Sequence, residues 1–192
     1  GSIIDWENDE VTHEFDSSSY VVIHVPESGM LEHEITKLDI DPKQIENLKI
    51  TGYIGEDDIR YLHTAMEKTI RAINIRDVHM DNDRLPYEGF KRMDNLRHII
   101  LPKSLKTIGG KCFKDLRLIS PIIIPEGVTY IEGWAFFDCD AEIVMPHTLE
   151  HIGALGFKSN KLRGELILTD NLKIIEGGAF NDASGLYGTF YM

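Results

Sequence analysis

From residue 99 onward the chain obeys one rule: three apolar residues, then a slot filled by Pro three times and Thr once, then apolar residues three, six and eleven positions beyond it. The slot falls at Pro102, Pro125, Pro146 and Thr169, so the period is 23, 21 and 23 residues. The third position beyond it is Leu105, Val128, Leu149 and Leu172; the sixth is Ile108, Ile131, Ile152 and Ile175; the eleventh is always Phe, at Phe113, Phe136, Phe157 and Phe180. A repeat this short cannot bury its own apolar face and must stack on its neighbours, which predicts a solenoid.

Within each unit the three residues before the slot read as a short strand, closed by a proline that withholds a donor. Side chains alternate along a strand. If the first and third face the core, the inward set is Ile99 and Leu101, Ile122 and Ile124, Ile143 and Met145, Leu166 and Leu168. The middle residues then form an outward ladder that runs, from one end to the other, Lys49, Asn74, Ile100, Ile123, Val144, Ile167 and Phe190. Strands lie about 4.8 Å apart, so its four central aliphatic residues would make an apolar band about 15 Å long. A contiguous exposed apolar patch points to a binding surface. The candidate contact residues are therefore Asn74, Ile100, Ile123, Val144, Ile167 and Phe190, edged by Glu142 and Glu165. The same ladder also serves local stability, since β-branched neighbours shield one another, and it equally offers a face for the leading segment to pack on. The Gly pairs Gly109-Gly110 and Gly177-Gly178 read as bends before each Phe packs inward.

The leading part is less regular. Tyr20 to Val25 is a β-prone run closed by Pro26 and Gly29, and Met30, Leu31, Ile35 and Leu38 follow at near-helical spacing. Asp41-Pro42 reads as a turn or helix start. Together, residues 1–45 are expected to be an acidic segment and cap, and 46–192 a solenoid, irregular over 46–95 and regular over 96–192, all in one structural domain. In the irregular part Leu48 to Ile50 is a strand. Glu56, Asp57 and Asp58 then place negative charge at a helix start, and Ile59, Leu62 and Met66 share one helix face. Ile73 to Ile75 is the next strand, and strand, helix and strand at this spacing predict parallel pairing through a right-handed crossover.

Charge narrows the partners. Residues 1–90 carry 20 acids and 8 bases, a balance of −12, whereas residues 91–192 carry 12 of each. Nucleic acid and anionic membrane both need a cationic face, so neither is expected. No apolar run approaches the length of a membrane helix. The chain opens on Gly-Ser and not Met, which reads as a trimmed or processed terminus and leaves compartment undecided. It stops 23 residues after Thr169, which suggests a longer parent protein, a fold-back of residues 185–192, or packing on another subunit.

Chemistry is sparse. Cys112 and Cys139 sit in packing slots and read as buried free thiols. The eight histidines show no zinc-ligand motif, and His147 and His151 are four apart in a stretch without helical pattern. Asp77, Asp81 and Asp83 resemble a weak calcium loop that lacks the EF-hand glycine and closing glutamate. No nucleophile elbow or phosphate loop is present, so no cofactor, no metal and no enzyme activity are expected.

The run Ile122 to Cys139, Ile-Ile-Ile-Pro-Glu-Gly-Val-Thr-Tyr-Ile-Glu-Gly-Trp-Ala-Phe-Phe-Asp-Cys, resembles the BspA-type leucine-rich repeat, as does Ile174 to Phe180. The resemblance covers about residues 96–192, and residues 48–77 look like the helical leading coil of such proteins. It implies an α/β fold, a right-handed leucine-rich repeat solenoid with short parallel strands. It also implies a secreted or surface-displayed adhesion or recognition module, bacterial in origin, that binds a protein or glycan. A structural module that self-associates through the apolar ladder and the open C-terminal coil is the alternative.

Overall fold

The computed structural model describes residues 4–5, 10–11 and 20–190. Its elements in chain order begin with β1 (Ile4–Asp5), β2 (Glu10–Val11), β3 (Tyr20–Val25), α1 (Leu31–Thr36), β4 (Asn47–Ile54), α2 (Glu56–Met66), β5 (Ala72–Asn74), β6 (Val78–Met80) and β7 (Arg84–Leu85). The repeats follow as β8 (His98–Ile100), β9 (Thr107–Ile108), β10 (Ile122–Ile123), β11 (Tyr130–Ile131), β12 (Ala141–Val144), β13 (His151–Ile152), β14 (Leu162–Leu168), β15 (Ile174–Ile175) and β16 (Leu186–Phe190).

The strands before the proline slots build the main face. β3, β4, β5 and β8 pair in that order, and β10, β12, β14 and β16 continue beyond them, all in parallel. The helical leading coil is as expected: β4 and β5 are parallel neighbours with α2 between them in sequence. A second parallel sheet, not expected from the sequence, runs β7, β9, β11, β13 and β15. The sixth position after each of the first three slots is a buried Ile preceded by a residue that tolerates an extended backbone, Thr107, Tyr130 or His151, and Ile174–Ile175 repeats the pattern with its Ile exposed.

Between the sheets lies one continuous core from Val21 to Ala179. Leu105, Val128 and Leu149 are buried, as are Ile108, Ile131 and Ile152. The phenylalanines stack face to face at 5.8, 5.1, 5.2 and 5.7 Å between centroids from Phe90 through Phe113, Phe136 and Phe157 to Phe180. The position before each Phe holds Gly89, Cys112, Ala135, Gly156 or Ala179, all buried, because the rings leave room only for small side chains. Burial pushes the Cys112 thiol up to about 12 and the Cys139 thiol upward as well.

Only one of the two Gly pairs supplies its turn's left-handed residue. In the first unit that residue is Lys111, one past Gly109-Gly110, and in the next two it is Trp134 and Leu155, whereas in the last unit it is Gly178, within the pair itself. Gly109 is required for close approach instead, since a Cβ there would stand 2.4 Å from the Leu85 carbonyl oxygen.

At the N-terminal side α1 and α2 are fastened by one buried side chain. The Asp58 carboxylate accepts N–H groups from Gly29, Leu31 and Gly55 at 2.7, 3.0 and 2.9 Å. Asp41 caps the single turn Pro42–Gln44 by accepting the Lys43 N–H at 2.9 Å.

Candidate binding face

The outer surface of the main sheet carries the ladder, but unevenly. Ile123 and Val144 stand in register and are 60% and 43% exposed. Ile100 and Ile167 are half-buried, and Ile167 packs against the core. Asn74 is in register between Lys49 and Ile100, yet only 6% exposed. Its short side chain turns back to accept the Arg76 N–H at 3.0 Å, so the expectation that it faces outward is corrected. The C-terminal step of the ladder is also corrected. β14 pairs with β16 one residue out of the expected register, placing Thr189 beside Ile167 and Phe190 beside Leu168. A one-residue slip moves a side chain to the opposite face. The side chain of Phe190 lies outside the described residues.

A second irregularity of β14 lies on its other side, against β12. Glu142 pairs with Arg163, and Gly164 follows at φ +137°, its α-carbon so close to the Ile143 carbonyl that a Cβ would lie 2.3 Å away. The longer spacing of this unit is absorbed there. Glu142 is exposed, whereas Glu165 is half-buried beside Tyr187. At the far end of the same face Val22, paired with Lys49, is 57% exposed.

A concavity of about 300 Å³ opens where the main sheet is interrupted, between β8 and β10. Pro121 occupies the place where the next unit has Glu142, and it has no N–H to give to a ladder with β8. A side-chain bond replaces it: His98 Nδ1 meets the Ser120 hydroxyl. Burial, then Arg71 and Arg97, hold the His98 imidazolium form down, so the ring is neutral at neutral pH. Buried Ile99 and Leu101 floor the cleft, Ile100, Ile123 and the two prolines wall it, and Arg76 and Lys103 stand at its rim. Lys103 Nζ lies 3.1 Å from Asp77 Oδ1. Sequence reasoning identified Ile100 and Ile123 here but missed Pro121, Ser120, Arg76 and Lys103; a proline inside a strand slot was the available signal.

A second hollow of about 520 Å³ separates α2 from residues 86–92. Its charges are matched locally. Arg60 reaches Glu56 and Asp57 at 3.0 and 2.6 Å, Lys91 pairs with Glu88, and His63 Nε2 meets the Lys91 carbonyl at 2.6 Å.

The three aspartates of the suspected calcium loop part company: Asp77 meets Lys103, Asp81 accepts the Ser28 hydroxyl at 2.6 Å, and Asp83 faces Lys106 at 3.7 Å. Among the described residues no three His, Cys, Asp or Glu side chains are grouped to hold a metal ion. His147 meets Glu126 at 2.9 Å and His151 meets Glu176 at 3.1 Å, so the two do not converge on a common ligand. No helix among the described residues is long and apolar enough to cross a membrane.

Comparison with protein-family models matches residues 69–187 to the BspA type leucine-rich repeat region, in six copies. The match begins before the four regular units and takes in the linking stretch that carries Phe90. No curated protein matches the chain.

Proposed function

The chain belongs to the BspA-type leucine-rich repeat family, and from that premise we propose that it is a non-catalytic recognition module that grips a protein partner on the outer face of its main sheet. Repeats of this family suggest protein interaction and are generally non-catalytic. The observation that carries the proposal is the pair Ile123 and Val144, exposed side by side on a parallel sheet whose core does not need them. Adhesion at a secreted or cell-surface location accords with the family's usual setting. In this reading the repeats wind as a right-handed solenoid over residues 46–192, and residues 1–45 cap it. The handedness is that of nearly all parallel crossovers.

Panning a random peptide library against the protein tests the reading, with the Ile123→Lys, Val144→Lys double variant as counter-target. Both positions are exposed, so melting should move by no more than a few degrees. Selected peptides should lose the double variant; peptides that hold both proteins equally would place recognition elsewhere.

One observation favours a second role in self-association. The last unit leaves Ile174, Ile175 and Tyr187 at 50%, 52% and 64% exposure, whereas Ile108, Ile131 and Ile152, the counterparts of Ile175, are buried.

A further inference from the structure

We propose that the cleft between β8 and β10 receives an aliphatic side chain of a partner polypeptide whose neighbouring residue is acidic. The inference rests on the reading of the sheet face as a protein-binding surface, and it names the chemistry of what that surface takes. At about 300 Å³ the cleft is at the small end of ligand sites and matches one or two aliphatic side chains. Its floor and walls are Ile, Leu and Pro, with a single hydroxyl, Ser120, already bonded to His98. A sugar would bring many hydroxyl groups to walls that cannot satisfy them, so a glycan is disfavoured.

Charge selects the neighbour. The lining holds two cations, Arg76 and Lys103, and no acid. Asp77 beside Lys103 shows that this rim takes a carboxylate, and Lys103 at 71% side-chain exposure is free to swing between its present partner and an incoming one. The occupied cleft would continue the exposed surface of Ile123 and Val144, so the flanking residues of an extended segment would lie along the ladder.

The probes are three blocked tetrapeptides, acetyl-Ser-Leu-Glu-Ser-amide and its Leu-Gln and Ser-Glu counterparts, titrated into the whole chain with NMR observation of the Ile100 and Ile123 methyl groups. The Leu-Glu peptide should shift both. The Leu-Gln peptide should bind about fivefold more weakly, as expected for losing one exposed ion pair, and the Ser-Glu peptide at least about tenfold more weakly for losing the apolar anchor. Lys103→Glu should remove the preference for Glu over Gln, and Ile123→Ser, a gentler change than Ile123→Lys, should weaken all three. Equal affinity for Leu-Glu and Leu-Gln overturns the acidic neighbour. Shifts absent from Ile100 and Ile123, or scattered over the chain, overturn the cleft as the site. That failure is separate from failure of the sheet-face reading, which falls only if selected library peptides ignore the Ile123→Lys, Val144→Lys variant.

Discussion

A single side chain repeated at one slot does most of the stacking in this molecule. Phe136 is fully buried and has a ring on each side, Phe113 at 5.1 Å and Phe157 at 5.2 Å. Phe180 has Phe157 at 5.7 Å on one side and is half-buried. The same substitution should therefore cost different amounts. Phe136→Ala removes a buried ring and leaves a cavity, at about 3–5 kcal/mol, whereas Phe180→Ala forfeits partial burial, at about 1–2 kcal/mol. Urea unfolding of both variants checks this, and equal losses would show that position in the stack does not set the contribution. At this scale the core was legible because the slots recur: every regular-unit residue expected inward before the last unit is buried. Asn74 was not legible, since alternation reports which way a Cβ points and not whether a short polar side chain folds back onto its own backbone. Pro121 was on view, but its effect depends on β8 standing beside it.

Elements were legible where they are long enough to show a period. The face of α2 is plain in the chain and β3 shows as a β-prone run, and both were read correctly in type. The second sheet was not, because strands of two residues, such as β9 and β11, display no alternation at all. Its outer surface is tied by a pair that spans a strand. Arg84, from β7, reaches across β9 to Glu132 after β11 with two hydrogen bonds, the one from Nη2 to Oε1 at 2.6 Å, and Glu132 also accepts the Gly110 N–H at 3.1 Å. The Arg84 hydrogen bond holds the Glu132 carboxyl below its ordinary value of 4.5, against the opposing pull of burial. A carboxyl with a depressed value in the folded state stabilises above the unfolded value, and that contribution disappears as pH falls through the folded one. Glu132→Gln should thus destabilise by about 1–2 kcal/mol at neutral pH, typical of a charge-assisted bond that is partly exposed. The gap between variant and parent should close on acidification well below pH 4.5. Thermal melts of the two proteins across pH decide it; a gap that persists at low pH would assign the loss to packing.

At the scale of the whole molecule, stability should be graded along the stack, because each unit touches only its neighbours and the summed interfaces set local opening. The N-terminal side is closed by β3, α1 and the three backbone N–H groups gathered on Asp58, whereas the last unit has its isoleucines in water and Leu166, Ile167 and Leu172 only partly covered. That contrast could not be read from the repeat, which writes Ile175 in the same slot as buried Ile152. Burial depends on what is stacked above, and the rule describes each unit alone. Among the described residues β16 is the edge of its sheet, and a strand edge exposes donors and acceptors that invite another strand. Native-state hydrogen exchange should find the amides of β15 and β16 opening well before those of β9, β11 and β13. Repeating the measurement over a wide range of protein concentration, alongside light scattering, separates the two roles proposed for the chain. A recognition module keeps the same exchange pattern and a constant monomer mass. Self-association through the last unit slows β15 and β16 selectively as mass rises, while Ile123 and Val144 stay open to solvent. Slowing at β10 and β12 instead would mean that copies meet on the sheet face, so that the apolar ladder serves assembly.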